Sequence, residues 1–213
     1  MHIALIGATG FVGTALLNEL LQRGHRVTAL ARDPAKLPLR EGLTVVQANA
    51  TDAAQVAQAV RGVDAVASAY NPGWTHPDLH DEFLRGSRAI TAGVKAAGVQ
   101  RLLVVGGAGS LYVAPGVQLV DTPQFPAEWK NGALAAREAL NLLRQESTLQ
   151  LTFLSPAILL EPGERTGHYR LGTESPLMNG DQPGKISVAD LAVAIVDELE
   201  APRHLQQRFT VAY

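Results

Sequence analysis

Cysteine is absent from the 213 residues, which excludes disulfides, thiolate metal sites and a cysteine nucleophile. Charge of one sign is not in excess either. A formal net charge of −2 offers no broad basic surface, so neither nucleic acid nor an anionic membrane is expected as a partner. No apolar run approaches the roughly 20 residues needed to span a bilayer. The stretch Met1–Ile6 is too short for a signal-peptide core and has no basic leader. The expectation is a cytoplasmic protein starting at Met1. Hydrophobic residues at 46% and charged residues at 18% suit a folded chain with one sizeable core, and the length is short for two. No internal repeat or low-complexity linker interrupts the sequence.

Short apolar runs alternate with amphipathic stretches. Strands are expected at Ile3–Ile6, Arg26–Ala31, Leu43–Gln47, Val63–Ser68, Arg101–Val105, Leu151–Leu154 and Arg208–Ala212. The helix Phe11–Gln22 places Val12, Leu16, Leu17, Leu20 and Leu21 on one side and ends at Gly24. Further helices are expected near Asp52–Val60, Asp78–Ala97, Phe125–Gln145 and Val188–Leu199. The continuous Val/Ile/Leu character of the strands predicts a parallel sheet covered on both faces. Right-handed crossovers then leave a doubly wound α/β fold, read here as a single domain spanning 1–213. Gly163–Gly172 and Ser175–Gly184 are rich in Gly, Pro and polar residues, and read as loops in a small irregular excursion on the substrate side.

The segment Gly7-Ala8-Thr9-Gly10-Phe11-Val12-Gly13 joins a strand directly to an amphipathic helix, the context in which a G-x-x-G-x-x-G pattern marks a dinucleotide site. The first glycine permits the tight turn, the second lets the backbone approach a pyrophosphate, and the third lets helix and strand pack closely. Main-chain N–H groups at the helix start would receive the diphosphate charge.

GATGFVG, with VTALARDPAKL after it, resembles the atypical branch of the short-chain dehydrogenase/reductase superfamily. The likeness is greatest to its NAD(P)H-binding group, which includes NmrA-like proteins and NADH-flavin-reductase-like proteins. It extends over nearly the whole chain, through VVGGAGSL (Val104–Leu111), EPGERTG (Glu161–Gly167) and ISVADLAVAIVDELE (Ile186–Glu200). The resemblance implies a Rossmann fold and a nicotinamide cofactor.

In NAD-using relatives the second strand ends in an acidic residue that holds the ribose hydroxyls. That place is Ala31 here, followed by Arg32. Without a carboxylate nothing repels a 2′-phosphate, and a guanidinium binds one in a two-point fork. NADP is therefore the expected cofactor, with NAD the other candidate; Lys36 adds charge from the same loop, while Asp33 is the one residue that could take the acidic role. The resemblance also implies adenine contact by Asn49, where relatives carry Asp, and a close approach of the cofactor to Ala67, Ser68 and Ala69. Gly106 after the fifth strand and Ser155-Pro156 after the sixth would lie by the nicotinamide. Asp52 reads as a helix cap.

Classical members of the superfamily use Ser, Tyr and Lys, with Tyr-x-x-x-Lys on the helix after the fifth strand. Here the corresponding segment is Phe125-Pro126-Ala127-Glu128-Trp129-Lys130-Asn131-Gly132-Ala133-Leu134. If Trp129 takes the tyrosine place, Ala133 takes the lysine place; if Lys130 takes it, Leu134 does. Ser110 and Lys130 remain as candidate catalytic donors, with turn and surface roles as the alternatives, and Tyr112 lies on the following loop. Reduction of a ketone needs a positioned acid for the alkoxide, worth about two to four powers of ten. A conjugated ring delocalises the incoming charge, so a small aromatic or flavin-like acceptor needs less.

Two leads carry less weight. His76 and His80 are four apart, but Pro77 is expected to open the helix and leave His76 outside it, and the metalloprotease Glu is missing, so no metal site is expected. Arg165, His168 and Arg170 form a basic cluster that could meet an anionic substrate or stay solvated. Two functions fit: an NAD(P)H-dependent reductase of a flavin, quinone or similar acceptor, with Tyr70, Trp74 and Trp129 lining its pocket, or a non-catalytic NADP-sensing regulator of the NmrA-like type. Neither the acceptor nor the oligomeric state is legible.

Overall fold

The structure is a computed structural model that describes residues 1–213. In chain order the elements are β1 (His2–Ile6), α1 (Phe11–Gln22), β2 (Arg26–Ala31), β3 (Leu43–Gln47), α2 (Ala53–Ala59), β4 (Ala65–Ser68), α3 (Leu79–Ala96) and β5 (Arg101–Val105). There follow β6 (Tyr112–Ala114), β7 (Val117–Gln118), α4 (Ala127–Leu143), β8 (Gln150–Ser155), β9 (Leu159–Glu161), β10 (Arg170–Gly172), β11 (Met178–Asn179), β12 (Gln182–Pro183), β13 (Lys185–Ser187), α5 (Val188–Glu200) and β14 (Gln207–Ala212).

Eight strands form one sheet in the order β10-β14-β8-β5-β4-β1-β2-β3, all parallel except β10. Helices α1 and α5 cover one face over a core of Leu5, Leu16, Leu20, Leu103, Leu154, Ile195 and Phe209. On the other face α2, α3 and α4 pack over Ile6, Val66, Ile90, Leu102, Leu140 and Phe153. Both faces are therefore dry, which is what the unbroken apolar strands required. Strand order reverses between β1 and β4. The connections leaving the carboxyl ends of these strands thus splay apart and leave a crevice, the place where open α/β sheets bind ligands.

The helix expected at Asp52–Val60 is α2, with Asp52 as its cap: the carboxylate accepts from the N–H groups of Ala54 and Gln55 at 2.9 and 3.1 Å. Pro77 does not open α3, which starts at Leu79. The stretch read as loop at Gly163–Gly172 ends in β10, an antiparallel strand on β14, and Ser175–Gly184 holds the β11–β12 hairpin. Strands of two or three residues bury too little to show an apolar period. β10 is fixed instead by Arg170, which donates to the Tyr213 carbonyl and, at 2.6 Å, to Asn179 Oδ1.

Candidate functional site

The glycine turn separates the demands of the fold from those of a ligand. Gly7 has φ +86°, and a Cβ there would stand 2.4 Å from the Ala69 carbonyl oxygen; at Gly13 one would stand 1.9 Å from the Gly7 carbonyl oxygen. Both positions must be glycine for β1, β4 and α1 to meet. Gly10 is different, because its Cβ would meet only the Gly7 oxygen, at 3.3 Å. A side chain there would need the Gly7 oxygen to give by only a few tenths of an ångström, so a bare backbone at Gly10 fits the close approach of a ligand better than a packing demand. Gly10 also caps α1 without any side-chain hydrogen bond, and the first turn has no acidic residue. The orphan N–H groups of a 12-residue helix are thus presented to an anion. Thr9, Gly10 and Phe11 are exposed at this turn, while Ala8 is buried and Val12 half-buried. These residues fit a dinucleotide pyrophosphate.

At the adenosine side Arg32 is exposed and has no carboxylate partner; its carbonyl accepts from Gln47 Nε2 at 3.3 Å. The Asp33 carboxylate is turned into its own loop, accepting from Ala35 N at 3.2 Å. Asn49 is also exposed, and its Oδ1 accepts from both the N–H and the hydroxyl of Thr51, at 3.1 and 3.0 Å. Its carbonyl lone pairs are in use, which leaves Asn49 an NH2 donor rather than an acceptor for any ligand. Ala67 and Ser68 end β4, and Ala69 follows them beneath the turn, with Ala69 N donating to Ile6 O. Behind them Tyr70 packs on Gly86 and donates to the Glu82 carbonyl. Burial pushes its phenol up to about 12, with Glu82 adding to the shift and Arg32 and Arg85 opposing it.

On the far side, a Cβ at Gly106 would lie 1.9 Å from the Phe153 ring, whereas at Gly107 it would meet only Ala136, at 3.8 Å. Ser110 is buried, with its hydroxyl accepting from Arg208 Nη1 at 2.9 Å and its carbonyl accepting from the same nitrogen. It is held under the α4 face of the sheet. Lys130 is exposed on the first turn of α4 without an ion-pair partner. Ser155 and Pro156 are buried at the end of β8, and the Ser155 hydroxyl has no partner; nor has that of Thr210, its neighbour in register on β14. Buried hydroxyls without partners are rare.

The segment leaving β4 bends back over α4. Trp74 settles where Gly132 leaves room, since a Cβ there would be 2.5 Å from its ring. It meets Trp129 edge to face, centroids 4.9 Å apart, and both rings are about half exposed. His76 Nδ1 accepts from Asp78 N, while His80 turns to Asp81 and Glu138, so the two imidazoles serve different partners. The basic cluster is likewise dispersed: Arg165 forms a two-point pair with Glu19, at 2.7 and 2.8 Å, and Arg170 holds the β10 edge.

These features coincide with sequence relationships. A family model described as NAD(P)H-binding matches residues 7–202. The chain belongs to this NAD(P)H-binding family. The uncharacterised Bacillus subtilis protein YwnB is 40% identical over 99% of this chain and 98% of its own length. Among solved structures, a candidate epimerase from Bacteroides thetaiotaomicron is 45% identical, covering 100% and 96% of the two chains with a TM-score of 0.93. A candidate exported protein from Burkholderia pseudomallei is 43% identical, with both chains covered at 100% and a TM-score of 0.89. A candidate NADH-flavin reductase from Streptococcus pneumoniae is 36% identical, covering 100% and 99%, at a TM-score of 0.87. No helix of the structure is long and apolar enough to cross a membrane.

One further part of this NAD(P)H-binding chain escaped the sequence reading. Asp190, buried on the first turn of α5, accepts from Thr166 N and Gly167 N at 2.8 and 2.7 Å, and from the hydroxyls of Thr166 and Tyr213 at 2.6 Å each. It fastens the EPGERTG loop to the domain. Burial works to raise its carboxyl, but the donors from Thr166, Tyr213 and Gly167 outweigh it and hold it below the usual value. An acidic residue on the first turn of a helix gives no sign in the sequence of the distant loop that it holds.

Proposed function

We propose that the chain is an NAD(P)H-dependent reductase of a flat conjugated acceptor, such as a flavin or quinone, with NADPH the preferred donor and the cytoplasm its compartment. The observation that carries this reading is the half-exposed Trp74–Trp129 pair, built from the segments that leave β4 and enter α4. Exposed indole faces favour stacking against another ring. A nicotinamide cofactor supplies the hydride when bound, and the chain's residues hold and orient. Gly10 would admit the pyrophosphate, Arg32 would meet the 2′-phosphate, and the buried Ser155-Pro156 step at the end of β8 would lie at the nicotinamide end.

Proton supply supports the same reading. The hydroxyl of Ser110 is engaged by Arg208, Gly106 has no room for a serine side chain, and α4 carries no tyrosine. A reduced ring can take its proton from water, whereas an alkoxide is poorly served. Epimerisation at an alcohol carbon needs that same acid–base pair. The test is NADPH oxidation with FMN, riboflavin, quinones and simple aldehydes. Turnover is expected with rings and not with aldehydes, and Trp129→Ala should raise the KM for the ring without changing NADPH affinity. Fast aldehyde reduction would sink the proposal. Tight NADPH binding with turnover of nothing would make the chain a nucleotide sensor.

A further inference from the structure

We propose a second binding site, for a phosphoryl group, in the cleft between the end of α4 and the β14–β10 edge of the sheet. The cleft measures about 240 Å³. Arg144, at the end of α4, and Arg208, on β14, both reach one carboxylate, that of Glu174 in the loop after β10. Arg144 Nη2 donates to both Glu174 carboxylate oxygens, at 2.8 and 2.7 Å, and Arg208 Nη2 donates to Oε2 and, at 3.2 Å, to the Glu174 main-chain carbonyl. No other acidic side chain pairs with either arginine. Two guanidinium charges thus share a single negative one.

The Arg208 side chain is fully buried, at 0% exposure, and its Nε has no hydrogen-bond partner. A guanidinium binds oxyanions through a two-pronged edge, and here the Nε/Nη2 edge is only half used. A planar carboxylate whose two oxygens are both engaged by Arg144 cannot also fill both prongs of Arg208. The three terminal oxygens of a phosphoryl group can, two on the Arg208 edge and one on Arg144. Glu174 is 44% exposed, so it can swing into water as the phosphoryl group enters. Its carboxylate acts as a tethered competitor. The remaining Arg208 nitrogen, Nη1, holds the hydroxyl and carbonyl of Ser110. The site is therefore wired to the Gly106–Ser110 segment that leaves β5 beside the crevice.

The test is calorimetry with inorganic phosphate, with glycerol phosphate and with acetate at equal ionic strength, on the parent, Glu174→Gln and Arg144→Gln. Phosphate is expected to bind the parent weakly and more tightly than acetate. Removing the tethered carboxylate should tighten it about tenfold or more, and removing Arg144 should weaken it by a similar factor. If Glu174→Gln loses thermal stability, phosphate should restore it. Equal binding of both phosphates means the phosphoryl group alone is read; preference for the ester means the rest of the cleft contributes. No phosphate binding to the parent overturns the proposal. So does binding that Arg144→Gln leaves intact, which would place the phosphate at the start of α1.

Discussion

The ring of Phe153 occupies the space that a side chain at Gly106 would need, 1.9 Å from where its Cβ would lie. The neighbouring Gly107 has no such obstacle, with Ala136 at 3.8 Å. Gly106→Ser should therefore cost stability by overpacking, about 1–3 kcal/mol or more. Gly107→Ser should stay within about 1 kcal/mol of the parent, the ordinary cost of a tolerated change. Urea unfolding of the two variants checks this. Equal losses would show that Phe153 is not the constraint.

Gly10→Ala and Gly13→Ala should fail in opposite ways. The first should keep the fold and lose dinucleotide affinity, because its methyl would project where the proposed site receives the pyrophosphate. The second drives a Cβ to 1.9 Å from the Gly7 carbonyl oxygen and should unfold at lower denaturant with any ligand absent. Circular dichroism and calorimetric titration separate the two. A Gly10→Ala protein that binds NADPH normally would move the cofactor elsewhere.

Arg32→Ala should weaken NADPH by about tenfold to a hundredfold, since a charge-assisted hydrogen bond contributes roughly 1.5–3 kcal/mol. NADH, without the phosphate, should change little. Because Arg32 is exposed, the NADPH advantage should shrink as salt rises. Dissociation constants for both nucleotides at two ionic strengths decide it; tighter NADH binding in the parent would refute the NADP assignment.

Asp190 predicts an acid-sensitive latch. Its folded carboxyl titrates below the usual aspartate value, so its contribution is present above that usual value and is lost as pH falls through the folded one. Asp190→Asn turns an amide donor toward the N–H groups of Thr166 and Gly167 and should cost about 1.5–3 kcal/mol at neutral pH. The gap to the parent should narrow below about pH 4. Thermal unfolding at pH 7 and pH 3 tests the sign: a constant gap would mean that the carboxylate charge does not matter.

The long elements were legible because their apolar patterns are regular: β1, β2 and β5 are nearly continuous buried runs between turn residues, and α1 repeats one apolar side. The small strands β9, β10 and β13 were not, because each is held by contacts distant in sequence. Arg170 at the Tyr213 carbonyl is one such contact. The glycine turn was legible for a comparable reason, since close backbone approach leaves only glycine as a solution. Polar partners were harder. Ser110 reads as a turn serine beside the crevice, and only the fold reveals that Arg208, 98 residues on, turns it inward. Asn49 shows the same limit, because the use of its carbonyl by Thr51 depends on a local turn rather than on residue type.

The two tryptophans of the chain are Trp74 and Trp129, and they touch each other. All indole emission of this protein thus originates at one contact, between the segment after β4 and the start of α4, with no background from elsewhere. Rings set 87° apart at 4.9 Å should also couple in the near-ultraviolet circular dichroism. Any lifting of that segment from Gly132 would shift the emission to the red and abolish the coupled signal together. Stopped-flow optics on the unlabelled protein can therefore time an opening of the acceptor side, and a reduced nicotinamide nearby would register in the same trace as energy transfer.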